Sequence, residues 1–85
     1  MSPRIYVGGL SSSATDSQLH LLCAPHGSVK SACVIRSKLT GLPFGWGFVE
    51  MSSGAEAREV ILALNGTRLE GQRLDVFSVR GISPG

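Results

Sequence analysis

The 85-residue sequence predicts one α+β domain, a four-stranded antiparallel sheet with two helices on one face, in the order β-α-β-β-α-β. Three observations predict it. Four short segments, Arg4–Leu10, Val29–Ile35, Phe44–Met51 and Leu74–Val79, alternate their side chains or are rich in β-branched residues, as half-buried strands are. Two segments between them carry apolar residues at helical spacing, each with capping residues before it and glycine or proline after it. Composition completes the case: 42% hydrophobic and 16% charged residues suit a packed globule of one domain.

Arg-Ile-Tyr-Val-Gly-Gly-Leu at 4–10 is a short strand stopped by two glycines, with Ile5 and Val7 on one face and Tyr6 on the other. Polar residues 11–14 lead into the first helix, which Ser13 or Thr15 can cap and whose first turn holds Asp16, as the helix dipole favours. Leu19, Leu22 and Cys23 form its apolar side, and Pro25 and Gly27 end it. In the second strand, Ala32 and Val34 share one face, Cys33 and Ile35 the other. Residues 36–43 are a turn-forming loop that closes a hairpin with the next strand.

That next strand, Phe-Gly-Trp-Gly-Phe-Val-Glu-Met at 44–51, sorts Phe44, Trp46, Phe48 and Glu50 to one face and Gly45, Gly47, Val49 and Met51 to the other. Ser53 and Glu56 then stand at capping-box spacing, and Ala57, Val60, Ile61 and Leu64 make the stripe of the second helix. Asn65-Gly66 closes that helix. Glu70-Gly71-Gln72 is a turn, and the last strand puts Leu74 and Val76 opposite Asp75 and Phe77. Residues 3–80 form the domain, and 81–85 are a flexible tail.

Aromatics at alternating positions suit a core as readily as a surface, so the other strands must decide. Two helices with one apolar stripe each can cover only one face of such a sheet, the split-βαβ or ferredoxin-like arrangement. Setting Ile5, Val7, Ala32, Val34, Val49, Met51, Leu74 and Val76 beneath the helices makes the buried side aliphatic throughout. Gly45 and Gly47 then let the helices approach the central strand closely. The opposite face collects Tyr6, Cys33, Ile35, Phe44, Trp46, Phe48, Asp75 and Phe77, an open apolar patch of the kind that marks an interaction site.

A net charge of +2 is compatible with nucleic acid without requiring it. No apolar run is long enough to span a membrane, and the first residues enter a strand directly, so no secretory signal is expected. Two cysteines without a Cys-x-x-Cys motif suggest a reducing compartment, cytoplasmic, or nuclear in a eukaryote. His20, Cys23 and His26 follow at intervals of three, but a structural zinc site needs a fourth ligand and only Cys33 is left. No metal and no cofactor are expected.

Ile5-Tyr6-Val7-Gly8-Gly9-Leu10 and Phe44-Gly45-Trp46-Gly47-Phe48-Val49-Glu50-Met51 resemble the two signatures of the RNA recognition motif, the second written Lys/Arg-Gly-aromatic-Gly/Ala-aromatic-Val-x-aromatic. The resemblance covers Pro3 to Arg80, and small single-motif RNA-binding proteins are similar in extent. It implies that Tyr6 and Phe48 stack successive bases and that Trp46 packs against a sugar or spans between them. Phe44 departs from the pattern by replacing a basic residue, which removes one phosphate partner and adds apolar surface. Met51 replaces an aromatic, Gly9 a frequent asparagine, and Cys33 a residue that is polar or charged in many members.

The function expected is single-stranded RNA binding on the open face, with single-stranded DNA as a related ligand. Arg4, Lys30, Arg36, Lys38, Arg73 and Arg80 are candidates for phosphate contacts, and Asp75, Phe44 and Phe77 border the rings. The competing expectation is a protein-interaction module that uses the same apolar face. Catalysis is not expected: the Gly8–Ser13 loop has no arginine, and the sequence sets neither histidine near a serine or carboxylate. A monomer without membrane contact is the expected state.

Overall fold

The computed structural model describes residues 3–79, so Arg80 and the expected 81–85 tail lie outside the described residues. Its elements are β1 (Arg4–Gly8), α1 (Asp16–Cys23), β2 (Val29–Arg36), β3 (Pro43–Met51), α2 (Gly54–Leu64), β4 (Arg68–Leu69), β5 (Gln72–Arg73) and β6 (Asp75–Val79). The main sheet is antiparallel with order β2-β3-β1-β6, so β1 and β3 are its central strands. Both helices contribute to one aliphatic core beneath it, and no helix among the described residues is long and apolar enough to cross a membrane.

The helices start where local chemistry tells them to. Thr15, not Ser13, caps α1, its hydroxyl accepting from Gln18 N–H at 3.1 Å. Ser53 caps α2: its hydroxyl accepts from Glu56 N–H at 3.3 Å and donates to the Glu56 carboxylate at 3.0 Å. The other Glu56 oxygen accepts from Ser28 N–H at 2.8 Å, which ties the turn before β2 to the start of α2. These hydrogen bonds, led by the one from the Ser28 backbone, hold the Glu56 carboxyl below its ordinary pKa.

The buried set is Ile5, Val7, Leu10, Ala14, Leu19, Cys23, Val34, Val49, Met51, Ala57, Val60, Leu64, Leu74 and Val76, with Leu22, Ala32 and Ile61 packed half-buried against it. It holds no aromatic side chain. Gly47 serves the packing as expected, since a Cβ there would lie 2.5 Å from the Cys33 carbonyl oxygen and 3.1 Å from a Leu19 methyl. Gly45 does not: its φ of +93° is the reason for glycine, and a Cβ there would meet only the Leu10 carbonyl oxygen, at 3.5 Å. It stands where the β2–β3 register shifts between Val34 and Arg36, an irregularity invisible to simple alternation.

Three further boundaries differ from those the sequence predicts. Pro25 does not stop helical winding but sits in a 3-10 turn, Ala24–His26, that continues α1, because the first turn of such a helix needs no N–H from proline. Leu74 is buried but precedes β6, its N–H and C=O bonded to Thr67 and Gly66 rather than to the sheet. The expected turn Glu70-Gly71-Gln72 is shorter by a residue, since Gln72 belongs to β5, which pairs with β4 as a two-stranded hairpin around Glu70 and Gly71. Both turn residues have positive φ, 53° and 80°, as the tightest hairpin turns require.

Candidate nucleic-acid interface

Register brings the rings together. Tyr6 is paired with Phe48 on one side and Phe77 on the other, while Gly8, two residues on, is paired with Trp46 and Asp75. Residues so placed share the face away from the helices. Tyr6 and Phe77 have ring centres 4.6 Å apart and planes 21° from parallel, and Tyr6 and Trp46 are 5.8 Å apart at 28°. Phe48 meets Trp46 edge-on at 5.4 Å and Tyr6 at 6.3 Å. All four distances lie where aromatic pairs attract.

Gly8 makes the arrangement possible: a Cβ there would come within 2.5 Å of the Tyr6 hydroxyl and 2.7 Å of its ring, so the tyrosine leans over bare backbone. Gly9, which replaces the frequent asparagine, has φ +84° and a Cβ position that runs into the Arg73 carbonyl oxygen. Tyr6, Trp46 and Phe48 are half-buried, and Phe77 is 53% exposed. Phe44 is 60% exposed but makes no ring contact with the other four.

The charged candidates divide. Arg4 is exposed on β1 and paired with Glu50, whose carboxylate accepts from the Ser31 hydroxyl at 3.3 Å. Lys30 on β2, Lys38 in the loop after it and Asp75 beside Gly8 are exposed. Arg73 is exposed on the β4–β5 hairpin, outside the main sheet. Arg36 is engaged within the protein: its guanidinium donates to Ala14 O at 2.9 Å and Gly41 O at 3.4 Å. Nothing in the sequence announced those two bonds, because both acceptors are main-chain atoms of loops.

Two more features are not evident from the sequence. Leu39 and Leu42, 95% and 64% exposed, extend the apolar surface from Phe44 into the loop, and apolar residues inside a turn-forming segment were the available signal. Asp16 does more than suit the helix dipole, since its carboxylate accepts from Val34 N–H at 2.7 Å. Cys23 is core, its thiol pushed up to about 11 by burial, whereas Cys33 is exposed and paired with Phe48. The spacing of His20, Cys23 and His26 therefore joins a buried thiol to two side chains outside the core.

A model of the RNA recognition motif matches residues 5–75. The 28 kDa chloroplastic ribonucleoprotein of Spinacia oleracea is 43% identical over 75 residues, 88% of this chain and 32% of its own length. The chain thus spans about a third of that relative. The RNA-binding protein RbpA of Nostoc is 43% identical over 72 residues, 85% of this chain and 71% of its own. Among solved structures, RNA binding protein PG1 superposes with a TM-score of 0.88 at 37% identity, covering 92% of this chain and 94% of that one. An Sxl-lethal protein/RNA complex gives 0.84 at 38% identity over 89% of this chain and 47% of its own.

Proposed function

This chain belongs to the RNA recognition motif family, and on that premise we propose that it binds single-stranded RNA on the open face of its sheet. The observation that carries the reading is the cluster of Tyr6, Trp46, Phe48 and Phe77 on that face, with every aromatic absent from a core that is otherwise complete. Each base laid on a ring contributes about 1–3 kcal/mol, so a face of this size holds two or three bases with modest affinity. Lys30, Lys38, Arg4 and Arg73 are the phosphate contacts of the proposal, approaching from strands and loops, together with Arg80, which lies outside the described residues. Phe44 and Asp75 border the platform, and discrimination of RNA from single-stranded DNA falls to contacts with the 2′-hydroxyl.

Support comes from the relatives whose names describe RNA-binding proteins and ribonucleoproteins, and from the RNA complex among the similar structures. The protein acts in this reading as a monomeric binding module, not an enzyme. A cytoplasmic setting stands beside an organellar one, because the spinach relative is named as chloroplastic. Chemical-shift mapping with a mixed pool of short RNAs tests the proposal: shifts concentrated at Tyr6, Trp46, Phe48 and Phe77 support it, and shifts confined to the helices overturn it.

A second reading has its own observation. Phe44, Leu42 and Leu39 are exposed without joining the ring cluster, an apolar extension suited to a protein partner. Sedimentation at rising concentration discriminates: a dimer that buries Trp46 and ignores added RNA favours this reading over the first.

A further inference from the structure

Arg36 ends β2, and one side chain there joins two separate loops. Nη2 donates to Ala14 O at 2.9 Å, in the connection from β1 to α1, and Nη1 to Gly41 O at 3.4 Å, in the connection from β2 to β3. Both loops border the end of the sheet that carries Trp46, where Leu10 N–H also donates to Gly45 O at 2.8 Å. A planar guanidinium presents donors in diverging directions, which a single ammonium cannot reproduce.

The loop it holds is already folded within itself. The Ser37 hydroxyl accepts from Leu39 N–H at 3.2 Å and Thr40 N–H at 3.3 Å, and Ser37 O accepts from Gly41 N–H at 2.9 Å. Ser37 N–H donates to Leu42 O at 2.9 Å, and Leu42 N–H to the Thr40 hydroxyl at 3.2 Å. This compact unit carries Lys38 and leads directly into Phe44. Among the described residues, the Arg36 guanidinium joins it to the loop that carries Ala14.

We propose that Arg36 is a positioning residue for RNA rather than a phosphate contact. It presets the 37–42 loop beside the aromatic face, so that Lys38 meets the nucleic acid without the loop first having to be ordered. Ordering at the moment of binding subtracts from affinity, and a loop fixed beforehand avoids that loss. The inference rests on the RNA-binding reading and assigns a task within it.

The test compares Arg36→Ala, Arg36→Lys and Lys38→Ala for binding of a short unstructured RNA over a range of salt, with amide exchange of Thr40 and Gly41 in the free proteins. Both Arg36 variants are expected to bind about two- to tenfold more weakly, with the native salt slope and faster exchange in the loop. Lys38→Ala is expected to flatten the slope by about 0.7, as loss of a phosphate contact does on single strands. If Arg36→Lys keeps native affinity while Arg36→Ala flattens the slope, Arg36 contacts phosphate and the proposal is overturned. Unchanged loop exchange in both Arg36 variants overturns it too. A native chain that binds no RNA at any salt instead overturns the reading of the open face, and the loop's role in binding goes with it.

Discussion

Tyr6 and Phe77, cross-strand partners on β1 and β6, hold their rings 4.6 Å apart and 21° from parallel. Rings lying edge to edge in one plane cannot come so close, so these two overlap in an offset stack. Trp46 stands near-parallel to Tyr6 from the β3 side. The ring cluster is thus partly self-stacked, and in the proposed binding mode a base settling on Tyr6 would have to share or replace a ring–ring contact.

Phe77→Ala removes a ring that can receive a base, at about 1–3 kcal/mol, and releases a ring pair of about 0.5–1.5 kcal/mol. The missing base stack outweighs the freed ring. Affinity for a labelled short RNA, followed by anisotropy, is expected to fall roughly two- to tenfold. Tighter binding by the variant contradicts this and identifies Phe77 as a cover over Tyr6.

Gly8→Ala separates binding from folding. Its new methyl displaces the far end of the Tyr6 side chain, 2.5–2.9 Å away, and that end is free to swing. RNA affinity is expected to fall by roughly fivefold or more, the value of one base stack. Stability should drop by less than affinity does, each of the Tyr6 pairs with Trp46, Phe48 and Phe77 that is lost costing about 0.5–1.5 kcal/mol. Equal losses in both, from titration and urea unfolding, would mean that the tyrosine holds the fold rather than the ligand.

Gly47→Ala has the opposite signature. Its methyl meets backbone, 2.5 Å from Cys33 O and 3.0 Å from Val34 Cα, which cannot swing aside. Overpacking of this kind costs about 1–3 kcal/mol, read as an earlier urea midpoint at unchanged slope. Native stability in the variant would show that β2 and β3 separate more easily than their close packing implies.

Element order and the two faces were legible because β1 and β3 alternate aliphatic and aromatic residues, and Ile5, Val7, Val49, Met51 and Val76 are all buried on the helix side. Alternation could not reveal that Gly45 breaks the β2–β3 register, since period two counts residues and not bulges. The β4–β5 hairpin escaped because two-residue strands are too short to show a period. Tyr6, Trp46 and Phe48 were readable as a group, but the stack of Tyr6 with Phe77 depends on strand neighbours distant in sequence. Arg36 was legible only as a charge, since both its carbonyl partners are main-chain atoms of loops.

Glu56 sets part of the acid side of stability. Its folded carboxyl titrates below the unfolded value of about 4.3, so the stabilisation is complete above that pH and is lost as pH falls through the folded pKa. Thermal unfolding of the native protein and Glu56→Gln is expected to differ at pH 7 and to converge toward pH 3. A constant difference across that range contradicts the assignment.

The most direct measurement follows Trp46, the one tryptophan in the chain, while short unstructured RNAs are added at several salt concentrations. Stacking on the open face predicts saturable quenching that weakens with salt by roughly 0.7 log units per phosphate contact for each tenfold rise. An unchanged emission with every RNA, from a protein whose Trp46 stays open to a small soluble quencher, would contradict the account.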